Sequence, residues 1–188
     1  MKRIALALAS TLALAALIPA AQAVEYTQVQ PEKSAVNFVY KQMGVAVDGK
    51  FKKFSSTLSF DPAKPTAAKA SFDVQLGSVD TGAPEGDDEV AGKAWFNTKA
   101  FPTARFVSGG VKAHGGNKYG VAGQLTIKGK TQDVIVPATF TPQGNSGVFD
   151  GSFTIRRADF TIGEGAWAKF DIVANDVLIK FRITAASK

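Results

Sequence analysis

The chain has 188 residues, no cysteine, a single histidine and a net charge of +6. Disulfides, thiolate metal sites and cysteine nucleophiles are therefore excluded, and stability must come from packing. Its 22 Lys and Arg residues are scattered and form no stripe, which excludes nucleic-acid binding, whereas a weak, transient attraction to an anionic membrane surface stays open.

Lys2 and Arg3 precede an apolar run from Ile4 to Ile18 that ends in Ala21-Gln22-Ala23. This is the pattern of a secretory signal peptide over residues 1–23, and it predicts export to the periplasm. The run is shorter than a membrane span requires. Residues 24–188 are then the mature domain, with a charge of +4 once Lys2 and Arg3 are subtracted from +6.

Val24 to Lys33 reads as a lead-in that Pro31 keeps at an edge or outside a sheet. A strand follows in which Val36, Phe38 and Tyr40 share one face. The Gln42-Met43-Gly44 corner returns the chain into a second strand, Val45 to Phe60. Within it Phe54, Leu58 and Phe60 share a parity that Phe51 does not, so a bulge or bend is expected near Lys52-Lys53. Asp61 to Thr66, with two prolines, is a turn. Lys69 to Val79 alternates Phe72, Val74 and Leu76 against Ser71, Asp73 and Gln75, as a half-buried strand does. Asp80 to Gly86 reads as loop, with Asp87 capping a short helix that runs to about Lys93. Trp95, Phe96 and Phe101 form an aromatic plug for the end of a sheet.

The remainder is a β meander. Ala104 to Val111 is a strand, and His114 to Asn117 turns into Tyr119 to Ile127. Lys128-Gly129 is a tight hairpin turn. Strands Thr131 to Thr141 and Val148 to Arg157 follow, and the last runs from about Asp171 to Ala185. In that last strand Val177, Ile179, Phe181 and Ile183 oppose Lys180, Arg182 and Thr184. Seven or eight antiparallel strands with a single apolar face imply a sandwich or a closed barrel.

Few residues suggest chemistry. His114 has no partner set for a metal or a triad. Gly163-Glu164-Gly165-Ala166-Trp167-Ala168 matches a dinucleotide fingerprint in letters, but a strand follows where that fold needs a helix. Glu85, Asp87, Asp88 and Glu89 lack calcium-loop spacing and suit a helix start. No catalytic residue, metal or cofactor is assigned. Arg157 shares parity with Phe153 and Ile155 and should point inward, where a charge needs a partner. An ion pair with Asp159 or Asp176 and recognition of a ligand head group both remain open. On composition alone, fourteen Phe favour a filled core over a lined cavity, because aromatic residues are ordinary core residues.

Taken together, Ser34-x-Val36-x-Phe38, Met43-Gly44, Gly49-x-Phe51, Phe60-Asp61, Ser78-Val79-Asp80-Thr81-Gly82, Phe101-Pro102-x-Ala104-x-Phe106, Gly123-x-Leu125-Thr126-Ile127-x-Gly129-x-Thr131 and Arg157-x-Asp159-Phe160 resemble, in order, the YceI-like, polyisoprenoid-binding proteins. The resemblance implies an all-β, extended, eight-stranded antiparallel lipocalin-like barrel, exported to the periplasm, with an apolar pocket for a long isoprenoid or fatty-acyl chain. Many family members carry His before the Met-Gly pair, where this chain has Gln42. The expectation is a non-enzymatic carrier whose ligand-binding wall is Phe38, Tyr40, Phe51, Phe72, Leu76, Phe106, Phe153, Ile179 and Phe181, with Gln42 or Arg157 near a polar head. A homodimer is compatible with this reading.

Overall fold

Period-two alternation and two-residue turns carry most of the chain into one antiparallel sheet. The computed structural model describes residues 24–188, so the expected leader, 1–23, lies outside the described residues. The strands are β1 (Tyr26–Val29), β2 (Ala35–Gln42), β3 (Val45–Phe51), β4 (Phe54–Ser59), β5 (Lys69–Gln75), β6 (Val79–Asp80), β7 (Thr103–Gly115), β8 (Lys118–Ile127), β9 (Lys130–Gln143), β10 (Ser146–Arg156) and β11 (Asp176–Ser187). One α-helix, α1 (Pro84–Ala91), lies between β6 and β7.

The sheet runs in the order β4-β5-β7-β8-β9-β10-β11-β2-β3-β6. Its two ends are joined by continuous chain. β3 passes into β4 through Lys52-Lys53, and β5 passes into β6 through a single turn at Leu76–Ser78, so each pair is one bent strand. The bends are bonded to each other: Lys52 N–H donates to Ser78 O at 3.0 Å, Lys53 N–H to Ser78 Oγ at 2.9 Å, and Gln75 N–H to Lys53 O at 3.0 Å. Counted as staves, the eleven segments give the expected eight, β2, β3–β4, β5–β6 and β7 to β11, with β1 as an addition. β1 pairs with β11 and bridges through Tyr26 to Phe60, the residue that follows β4, so it reaches from β11 to the β4 edge of the sheet.

Several boundaries differ from the sequence reading, five of them consequentially. The strand expected over Lys69 to Val79 breaks at Leu76, where the Leu76–Ser78 turn lets Ser78 Oγ donate to Gln75 O and accept from Lys53 N–H, while Leu76 stays inside, 1% exposed. The helix starts at Pro84, three residues before Asp87, with Ala83 as its N-cap and proline at its first position. Asp87 instead accepts two hydrogen bonds from Thr81, from N–H at 2.7 Å and Oγ1 at 2.8 Å, tying the helix back to β6. His114 belongs to β7, and the turn itself is Gly116-Asn117. β10 ends at Arg156, and β11 begins at Asp176, five residues later than expected. The last two share a cause, since residues 162–174 wrap around the side chain of Arg157.

Two apolar clusters close the barrel. At the far end Tyr26, Phe60, Tyr119, Phe140 and Phe149 stack with centroids about 5 Å apart. At the near end Leu76, Trp95, Ile127, Phe160, Ile162 and Val173 pack together. The aromatic plug expected from Trp95 and Phe96 sits here, with Trp95 5.4 Å from Trp167.

Candidate ligand-binding site

Between the two clusters the interior is not filled. A cavity of about 350 Å³ lies along the barrel axis, walled almost entirely by apolar atoms from every stave. That volume falls within the range of small-molecule sites. All eleven residues expected at the site line it: Phe38, Tyr40, Gln42, Phe51, Phe72, Leu76, Phe106, Phe153, Arg157, Ile179 and Phe181.

Glycines explain how a barrel so rich in phenylalanine keeps an open interior. A Cβ placed on Gly49 would collide with the Phe38 ring, one on Gly123 with Phe106, and one on Gly151 with Phe181. Phe38 and Gly49 are direct cross-strand partners, as are Phe181 and Gly151. Each ring covers the bare backbone of its neighbour and so forms wall, where against a larger residue it would stand into the lumen.

Three of its lining residues are exposed, Gln42 and Glu89 at the near end and Lys69 on β5, and the near-end pair marks a mouth. Gln42 ends β2, and Met43-Gly44 makes the tight turn with φ of 50° and 83°, a conformation in which glycine at the second position costs no strain. Around this mouth lie four exposed apolar side chains, Met43 (77%), Val45, Phe170 and Ile172. They form one surface because the hairpin tip is bonded to the 162–174 segment, with Met43 N–H donating to Ile172 O at 2.7 Å and Gln42 bridging to Val173. Inside the mouth stands the phenol of Tyr40. Burial, and then the negative charge of Asp87, hold its pKa above the ordinary tyrosine value. Across from it α1 supplies Gly86, Glu89 and Val90 to the lining, and Glu89 Oε1 accepts from Trp167 Nε1 at 2.7 Å.

Arg157 is 1% exposed and has no carboxylate partner among the described residues. Asp159, one of the two expected partners, binds Arg156 instead at 2.9 Å. The five N–H donors of Arg157 are all used on six backbone carbonyls: Nε on Ala174, Nη1 on Ile162 and Gly163, and Nη2 on Trp167, Lys169 and Val173, at 2.7 to 3.2 Å. Its guanidinium also lies 5.3 Å from the Trp95 ring and 5.0 Å from the Phe170 ring. Burial lowers its pKa, yet arginine stays charged. The expectation of an ion pair is thus corrected: dipoles of the wrapped loop satisfy the charge. Gly163 is part of the same device, since a Cβ there would overlap Nη1, while Gly165 is required by its own backbone, with φ of 63°.

A second buried cation was not anticipated. Lys128, in the β8–β9 turn, is 8% exposed and donates to Lys93 O at 3.0 Å, Thr161 O at 2.8 Å and Glu164 Oε2 at 2.6 Å. In sequence it is an ordinary turn lysine, and only the folding of two distant loops over it buries it. The lining residues Trp167 and Val173 were likewise missed, because nothing local shows that residues 162–174 fold across the barrel end.

The profile of the YceI-like domain matches residues 27–185, nearly the whole described chain. The chain belongs to the YceI-like family. Among curated relatives, the UPF0312 protein of Pseudomonas fluorescens is 34% identical over 168 residues, covering 83% of this chain and 84% of that one. The UPF0312 protein of Azotobacter vinelandii is 32% identical over 157 residues, covering 78% and 82%. Among solved structures, Burkholderia cenocepacia BcnA superposes with a TM-score of 0.83 at 45% identity, over 85% of this chain and 100% of that chain. A polyisoprenoid binding domain from Saccharophagus degradans superposes with a TM-score of 0.66 at 14% identity, over 88% and 99%, a likeness of fold.

Proposed function

We propose that this YceI-like protein is a periplasmic carrier that holds the apolar tail of a long-chain amphiphile, a polyisoprenoid, isoprenoid quinone or fatty-acyl lipid, inside the barrel. The observation that carries this reading is the 350 Å³ apolar cavity, lined from every stave, with Gln42 at its near rim. Tail burial supplies most of the favourable energy. At about 0.8 kcal/mol per methylene, a sixteen-carbon tail gains roughly 13 kcal/mol against an association cost of about 4 to 15 kcal/mol. No catalytic group is needed for such affinity, and the polar groups along the lining are few.

The expected leader at residues 1–23 supports the compartment, and the structural neighbour described as polyisoprenoid-binding supports the ligand class. Met43, Val45, Phe170 and Ile172 around the mouth favour a transient contact with a membrane surface, from which a tail can pass directly into the barrel. Denaturing extraction of the purified protein followed by lipid mass spectrometry is the test, with an amphiphile recovered as the expected result. Recovery of none, together with no uptake of added prenyl or fatty-acyl ligands, refutes the reading.

A further inference from the structure

Two elements form the rim of the cavity at its near end, and they are held very differently. On one side stands the 162–174 segment. Arg157 fastens it through six carbonyls, Lys128 holds Glu164 Oε2 at 2.6 Å, and its own Gly163 N–H donates to Ala94 O at 2.8 Å. On the other side stands α1, which has no buried residue. Its one large apolar side chain, Val90, is half-buried against the near-end cluster. The side chains of α1 make three hydrogen bonds to the rest of the fold: Asp87 Oδ1 accepts from Thr81 N–H and Oγ1, and Glu89 Oε1 accepts from Trp167 Nε1.

The sheet is also incomplete beside α1. Along β3, Val45–Gly49 pairs with β2 on one side and with no strand on the other, since β6 reaches only Lys50 and Phe51. The next element in the chain is α1, which contributes Gly86, Glu89 and Val90 to the lining. Its two ends differ. At the C-terminal end Val90 O and Ala91 O accept from Phe96 N–H and Thr98 N–H, both at 3.0 Å, which fixes a pivot. Before the N-terminal end lies Gly82, with φ of 89° and open space around it, where a Cβ would meet nothing within 4 Å. An element with so few buried apolar contacts opens at a lower free-energy cost than the strands around it.

We propose that α1 is a hinged lid: it pivots on Val90–Ala91, its N-terminal end swings on Gly82, and the Glu89–Trp167 hydrogen bond latches it against the fixed 162–174 rim. Opening breaks three hydrogen bonds and takes Gly86 and Glu89 out of the wall, whereas moving the opposite rim breaks the six made by Arg157. This rests on the tail-binding reading above and adds the step that admits and releases the tail.

The chain has no cysteine, so a pair introduced at the latch is a unique site for a cross-link. In the whole mature chain, Glu89→Cys with Trp167→Cys is bridged by a short reducible bis-thiosulfonate, and uptake and release of a fluorescent fatty-acyl probe are followed before and after reduction. Both forms carry the same two substitutions, so their difference isolates the bridge. The bridged form is expected to exchange the probe at least tenfold more slowly than the reduced form. Glu89→Ala, which removes the latch alone, should speed release by about three- to tenfold, the value of one hydrogen bond. Equal exchange before and after reduction overturns the lid and leaves tail binding intact. If the double-cysteine chain binds no probe, Glu89→Ala decides, and an unchanged release rate overturns the lid. Failure of the unsubstituted chain to take up the probe overturns the tail reading, and the lid with it.

Discussion

Replacing Arg157 with lysine keeps the charge and removes the geometry. Arg157 directs five donors at six carbonyls of residues 162–174, all at the near end of the barrel. A lysine ammonium has three donors on one atom, so at least three of the six carbonyls lose their partner. At about 1 to 3 kcal/mol for each buried acceptor left unpaired, Arg157→Lys should cost at least ~3 kcal/mol. That is a large share of a total stability of roughly 5–15 kcal/mol. For a domain of this size the melting temperature should fall by about 6 to 12 °C. Equilibrium urea denaturation gives the free energy, and fluorescence of Trp167, which sits on the loop being released, reports whether that loop loosens first. A loss below about 1 kcal/mol would refute the argument. It would mean that the carbonyls find water or one another, and that Arg157 is free to serve a ligand.

Three further outcomes follow from the same geometry. Gly49→Ala should push the Phe38 ring off its neighbour and into the lumen, costing about 1 to 3 kcal/mol of stability as overpacking does and weakening long-tail ligands, as read by thermal melts and competition binding; unchanged affinity would show that the ring has room elsewhere. Asp80 has its pKa held below the ordinary carboxylate value, first by the Gly82 N–H and then by Lys52 and Lys50. Its contribution is therefore full above the unfolded value of 3.8 and lost as pH falls through the lower folded value, so Asp80→Asn should flatten the acid limb of the stability curve below pH 3.8 and leave its slope near neutrality unchanged, measured as urea midpoint against pH. Met43→Asp combined with Val45→Asp should slow the transfer of a fluorescent fatty-acyl probe from vesicles at least several-fold while leaving equilibrium affinity in solution unaltered, since both side chains are exposed and stand outside the cavity. Unslowed transfer would remove the membrane-contact role from that surface.

Much of the lumen wall was legible because strand parity is a local property. Val36, Phe38 and Tyr40 point one way, and so do Val177, Ile179 and Phe181, whatever they meet. The slip of parity at Lys52-Lys53 was legible for the same reason, and it marks the bend that lets one strand serve both ends of the sheet. Tyr40 was expected as lining, but its position beside Asp87 was hidden, since α1 reaches it only across the barrel.

What the sequence determined by itself is the set of alternating faces, the turns between them and hence an all-β domain with one apolar side. What only the tertiary structure decided is whether fourteen phenylalanines fill that side or line it, and what becomes of Arg157. Both depend on partners distant in the chain. A ring lies against the wall only if a glycine waits on the neighbouring strand, as Gly49 does for Phe38 and Gly151 for Phe181. A buried guanidinium is satisfied only where a loop of carbonyls closes around it. Alternation records the direction of a side chain and carries no information about the shape it meets there, and that shape determines whether the barrel is solid or hollow.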